Sequence, residues 1–190
     1  MDGTSEMDGS ITITNMEHEM YNDGLFFLGK SNSCEGTFEK WRYQRFAIIS
    51  FCTSFESFLH KKIVSKLTID DTVVEKGSDI LNYLSDPESK VKRPFIIATV
   101  KGKLRVLADA NGLDQEAFLG EEFKEFEKII HLRNKIVHFS RSNFDSVYLE
   151  MDNLVEVAPE FLRSLVMIIC EELNENVPGF YLETEYKDID

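Results

Sequence analysis

The chain has 190 residues, 43% of them hydrophobic, and its 34 acidic against 21 basic residues give a formal net charge of −13. That length and apolar fraction suit one domain with a sizeable core, and no apolar run approaches the roughly eighteen residues of a membrane helix. The acidic, polar opening MDGTSEMDGS is unlike the basic start of a secretory signal, so a cytoplasmic protein with no membrane partner is expected.

Cys34, Cys52 and Cys170 are odd in number and scattered, with no CxxC. Neither a disulfide framework nor a zinc site is suggested, and no metal or cofactor is expected. The net charge argues at first against a phosphate-bearing partner. Its distribution reverses that inference. Residues 1–39 hold eight acidic residues and one lysine, residues 171–190 seven and one, and the charges between them cancel. Within that neutral middle, Lys90, Lys92, Arg93, Lys101, Lys103 and Arg105 form a run with no acidic residue from 89 to 108. The run is a candidate phosphate-facing surface; it also suits a solvated helix face.

Residues 1–36 are rich in Gly, Ser, Asn and Asp. They read as an N-terminal segment, disordered over its first ten residues, with a β-prone tetrad at Ile11–Thr14 and an apolar knot at Leu25-Phe26-Phe27-Leu28 that docks on the bundle. His18, between two glutamates, reads as a surface residue. Thr37 can cap a long helix to about Leu67, whose stripe through Trp41, Ile48, Phe51, Phe55, Phe58, Leu59 and Ile63 makes it the central strut. Glu56 lies beside that stripe, and His60, next to Lys61-Lys62, is expected in water. Asp70 or Asp71 can cap a short helix carrying Val73, Val74, Ile80, Leu81 and Leu84 and ending before Pro87. Pro94 suits the first turn of the next, with Ile97, Val100, Leu104 and Leu107 inward, Gly102 as a weak point and Asn111-Gly112 as its stop. Asp114 can start another helix, a loop follows at 139–147, Asp152 can cap the last helix, and Pro159 should kink or restart it. From Asn174 the chain reads as an acidic tail. The expected fold is all-α: an antiparallel bundle of about five helices over 37–173, flanked by the 1–36 segment and the 174–190 tail.

In the helix ahead of the 139–147 loop, Leu119, Phe123, Phe126 and Ile130 recur at helical spacing, and the next positions on that stripe are Arg133 and Val137. An arginine turned inward needs an anionic or hydrogen-bonding partner, and Glu56 is the candidate. Asn134 and His138 are four apart, placing the amide beside the imidazole. Arg133 and His138 are five apart, about 140° around a regular helix. Either the helix ends near His138 or a second copy completes the site. His131 lies about 10 Å along the axis from His138, too far to share a metal ion with it.

Arg133-Asn134-Lys135-Ile136-Val137-His138 resembles the signature of the HEPN superfamily (higher eukaryotes and prokaryotes nucleotide-binding): an Arg, usually followed by a polar residue, then a His after four to six intervening residues. The resemblance spans roughly Glu39 to Glu172 as a bundle. It implies a small, commonly dimeric helical domain, and many such domains are metal-independent endoribonucleases of toxin–antitoxin, anti-phage or RNA-processing systems. Arg133, Asn134 and His138 would then be catalytic, with Glu56, Lys135 and Arg141 in support. His138 would exchange protons with the 2′-hydroxyl or the leaving 5′-oxygen, and Arg133 would clamp the phosphate. The products would be a 2′,3′-cyclic phosphate and a 5′-hydroxyl. The implied partners are RNA, a second copy of the chain, and an antitoxin or other defence-system protein. Two alternatives share these residues: a helix end whose Arg and His meet the last carbonyls, and a non-catalytic HEPN-like module for dimerisation, nucleotide binding or inhibition, with acidic ends that mimic RNA.

Overall fold

A computed structural model describes residues 15–86, 90–138 and 144–187, with the backbone alone at 144–146. Its seven α-helices are α1 (Met16–Asn32), α2 (Thr37–Ile69), α3 (Gly77–Ser85), α4 (Val100–Ala110), α5 (Glu121–Val137), α6 (Phe144–Val155) and α7 (Ala158–Glu172). Single 3-10 turns lie at Phe95–Ile97 and Gly179–Leu182. No strand occurs among the described residues, so the fold is all-α, with more helices than the five expected. No described helix is long and apolar enough to cross a membrane.

α2 is the strut around which the rest is arranged: every other helix touches it. Its Ile48, Phe51, Phe55, Phe58, Leu59 and Ile63 are fully buried, the outcome for a helix apolar on more than one side. α1 folds back along it. Glu17 meets Ser54, Tyr21 meets Phe51, and Phe27 meets Tyr43 and Phe46, so the pair is antiparallel. The 1–36 segment therefore contributes a core helix, of which the sequence revealed only the Leu25–Leu28 knot. Asn22, Asp23, Gly24 and Gly29 lower its local helix propensity, and packing overrides them. Gly24 is part of that packing, because a Cβ there would run into the Phe51 ring.

Several boundaries differ from expectation, two of them because an aspartate serves a turn instead of a cap. Asp70 ends α2, accepting from the Thr72 N–H at 2.9 Å and its hydroxyl at 2.6 Å, and α3 starts only at Gly77, leaving Val73 exposed. The Asp114 carboxylate accepts from the Glu116 N–H at 2.8 Å in a turn, and α5 begins at Glu121. Asp152 lies within α6, where it takes a 2.8 Å bond from Gln44 and pairs with Lys40 at 3.1 Å. α6 starts at Phe144, inside the stretch expected as loop, and Pro159 sits in the first turn of α7, restarting the chain. Pro94 precedes the 3-10 turn, and α4 starts at Val100 with Thr99 as its cap, whose hydroxyl accepts from the Gly102 N–H at 3.0 Å. Ile97, Val100, Leu104 and Leu107 are buried as expected. Gly102 is less a weak point than a contact: a Cβ there would collide with the Ile96 carbonyl oxygen.

The segment read as a tail is a strap up to Lys187. Tyr181 is fully buried, and its hydroxyl lies 3.0 Å from that of Ser54. The Tyr21 hydroxyl donates to the carbonyls of Tyr181 and Glu183, Arg163 Nε donates to the Tyr181 carbonyl at 2.9 Å, and Asn22 exchanges two bonds with the Lys187 backbone. His18 stacks on Phe180 at 4.6 Å. The first fourteen residues, and with them the Ile11–Thr14 tetrad, lie outside the described residues, as does Pro87.

Candidate functional site

On α2, Thr53, Glu56, Ser57 and His60 share one side of the helix, at the spacing that places residues on one face. They line a cavity of about 300 Å³ together with Lys103 from α4 and Arg133 from α5. A second cavity, about 350 Å³, shares Glu56, His60 and Lys103 and adds Tyr83 and Arg93.

Glu56 is the hub. Its Oε1 accepts from Arg133 Nη2, and its Oε2 accepts from Lys103 Nζ at 2.8 Å. Burial alone would push this carboxyl up. The charges and hydrogen bonds of Lys103, then Arg133, outweigh it and hold the group below the ordinary carboxylate range. The Arg133 side chain is 24% exposed, and its buried Nε has no hydrogen-bond partner among the described residues. Behind it, burial pushes the Cys52 thiol up to about 12 against the opposing charge of Arg133, which makes this cysteine a packing residue and not a nucleophile.

Arg133 stands at the edge of the buried face of α5. Phe123, Phe126, Ile129, Ile130 and Leu132 are buried, whereas Val137 is 50% exposed, so the apolar stripe does not continue to Val137. The contact face turns toward Ile129 and Leu132 as α5 leaves the core. The helix then ends at Val137, and His138 caps it, its N–H bonded to the Asn134 carbonyl at 2.9 Å. Both side chains are exposed, and neither has a side-chain hydrogen-bond partner among the described residues, so the expected amide–imidazole contact is not made. His138 does not line the Arg133 cavity. Lys135 reaches the other way, to both Glu150 oxygens at 2.7 Å, outside this site. Arg141 lies outside the described residues, and His131 is exposed.

The six basic residues of the 90–105 run differ in their surroundings. Lys103 is inside the cavity, Arg93 lines it, Lys90, Lys92 and Lys101 are exposed, and Arg105 is committed to Glu116, with Nε at 3.1 Å. His60 is the residue that sequence reasoning missed. Its Nε2 lies 2.8 Å from the Leu84 carbonyl; a carbonyl only accepts, so Nε2 carries the hydrogen. The signal available was its place one turn after Glu56, on the same face.

Arg133, Lys103 and Arg93 against Glu56 leave the joined cavities with an excess of positive charge. An anion with several acceptor oxygens suits that surplus. Among the described residues no group of three or more His, Cys, Asp or Glu side chains is placed to hold a metal ion. Comparisons of the chain with protein-family models, curated proteins and solved structures find no match.

Proposed function

We propose that this protein is a HEPN-type endoribonuclease that cleaves RNA without a metal ion and acts as a homodimer. One observation carries the proposal: Arg133 of the RNKIVH motif sits at the rim of a polar, cation-rich cavity, while His138, which ends the same helix, is exposed to solvent. Within one chain the two do not converge, so a second copy brings the exposed imidazole to the Arg133 cavity.

In this mechanism a 2′-hydroxyl attacks its neighbouring phosphorus, and one imidazole takes the hydroxyl proton. Arg133, with one of its five N–H donors on Glu56, offers others to the phosphate oxygens as negative charge builds. The bond to the 5′-oxygen breaks, that oxygen takes a proton from an imidazolium, and a 2′,3′-cyclic phosphate and a 5′-hydroxyl remain. DNA, without the 2′-hydroxyl, stays intact.

The test is incubation of the purified protein with total RNA in EDTA, read on a gel. Cleavage is expected, with Arg133→Ala and His138→Ala each down by about two orders of magnitude or more. Arg133→Lys should fail too, since a point charge lacks the planar fork. Intact RNA across varied substrates, or undiminished cutting by His138→Ala, overturns the proposal. The second reading, a non-catalytic binding or inhibitory module, is favoured by Glu56, which already engages both Arg133 and Lys103; it takes over if RNA is bound but left whole. In a toxin or anti-phage setting, an inhibitory partner protein would act by covering the same cavity.

A further inference from the structure

Three hollows adjoin along one side of the bundle. The outermost, about 810 Å³, lies between the start of α3 and the Phe95–Ile97 turn, and Lys92, Arg93 and Phe95 line it. Arg93 and Ala98 also belong to the second, of about 350 Å³. Glu56, His60 and Lys103 belong to both the second and the third, where Arg133 sits. The shared residues join the three into one path from Phe95 to Arg133.

Phe95 is 93% exposed at the head of a tight turn. A lone surface phenylalanine is ordinary; this one differs in its neighbours and its mounting. Lys92 and Arg93 precede it, and neither has a carboxylate partner among the described residues. The turn is closed by bonds from the Ile97 N–H to the Pro94 carbonyl and from the Ala98 N–H to the Phe95 carbonyl, at 3.2 and 3.0 Å. Gly102 lets α4 close on the Ile96 carbonyl, so the ring is presented on a braced support.

We infer that this path is a track for single-stranded RNA. The inference rests on the nuclease proposal for its direction of travel, but binding along the track is independent of cleavage. Phe95 stacks one base, which is tolerant of sequence because every base has a π-face. Arg93 and Lys103 take the phosphates that follow, and the strand enters the Arg133 cavity. Glu56 does not repel it, being engaged by Lys103 and Arg133. On the α3 side of the outer hollow Glu75 and Asp79 outnumber Lys76, whereas the opposite side carries Lys92 and Arg93 with no carboxylate, so the strand keeps toward Lys92 and Arg93.

The experiment is fluorescence anisotropy with a 2′-O-methyl oligonucleotide of about ten unstructured residues, which has no hydroxyl to attack with. Wild type binds it; Phe95→Ala and Arg93→Ala each bind about tenfold more weakly, Phe95→Trp retains affinity, and Phe38→Ala, which removes another exposed ring (82% exposed) outside the track, changes nothing. Circular dichroism establishes that each variant is folded. The track is overturned if wild type does not bind, if Phe95→Ala and Arg93→Ala bind as wild type does, or if Phe95→Ala leaves affinity alone and lowers the mass in sedimentation, which would make the ring part of an interface between copies. Binding lost in these variants with natural RNA left uncut by wild type supports the track and defeats the nuclease; cutting retained with unchanged affinity does the reverse.

Discussion

Two cations converge on Glu56, and its neutral isostere separates what they contribute. At neutral pH Glu56→Gln should cost about 1–2 kcal/mol, less than a fully buried pair because the side chain is 33% exposed. The pH dependence has a definite sign. A carboxyl held below its ordinary value of 4.5 in the fold adds stability that is complete above that value and is lost as pH falls through the depressed one. Urea midpoints for wild type and Glu56→Gln should therefore differ at pH 7 and draw together as pH drops below 4.5. A constant gap down to pH 3 would mean that the charge does not matter. The Glu56–Arg133 pairing could be read from sequence because an inward guanidinium demands an acceptor and Glu56 flanks the longest apolar stripe. His60 could not, since Lys61-Lys62 beside it suggest water and its acceptor is a backbone carbonyl 24 residues away. The missing Asn134–His138 contact has a different cause: side-chain neighbours at a spacing of four need a helix that continues, and this one stops at Val137.

Helix interiors normally favour alanine over glycine, by up to about 1 kcal/mol. Gly102 and Gly24 should reverse that preference, since the Ile96 carbonyl and the Phe51 ring occupy the space where a methyl group would go. Gly102→Ala and Gly24→Ala are each expected to destabilise by about 1–3 kcal/mol in urea titrations, and a stabilised Gly102→Ala would show that the turn ahead of α4 is not braced as described. Thr99→Ala, which removes only the cap, should cost about 1 kcal/mol. These elements also mark what sequence can yield. α2 was legible because thirty-three residues hold one apolar pattern; α1 was not, because Asn22, Asp23, Gly24 and Gly29 interrupt it with poor helix formers, held in the helix by packing on α2 and the strap. The start of α5 was misplaced because an aspartate that can cap a helix can equally close a turn.

Taken whole, the chain is acidic, but the proposed track is lined by Lys92, Arg93, Lys103 and Arg133, so the proposed association with RNA should be salt-sensitive despite the net charge of −13. Three phosphate contacts, at Arg93, Lys103 and Arg133, correspond to a slope of about −2 in log affinity against log salt for a single strand; a slope near zero would remove phosphate binding from the picture. If the site is shared between two copies, mixing Arg133→Ala with His138→Ala chains should restore cleavage that neither has alone, because one site of each mixed dimer is whole. The strap has a consequence for the order in which the molecule is made. Tyr21 and Asn22 are bonded to Tyr181, Glu183 and Lys187, partners 160 and more residues later. During synthesis α1 and α2 can pair early, but the polar groups of α1 stay in water until translation has passed residue 187. A nascent chain halted before Gly179 should thus expose α1 to protease, and release of the longer chain should protect it, making closure of the strap over α1 the final event of folding.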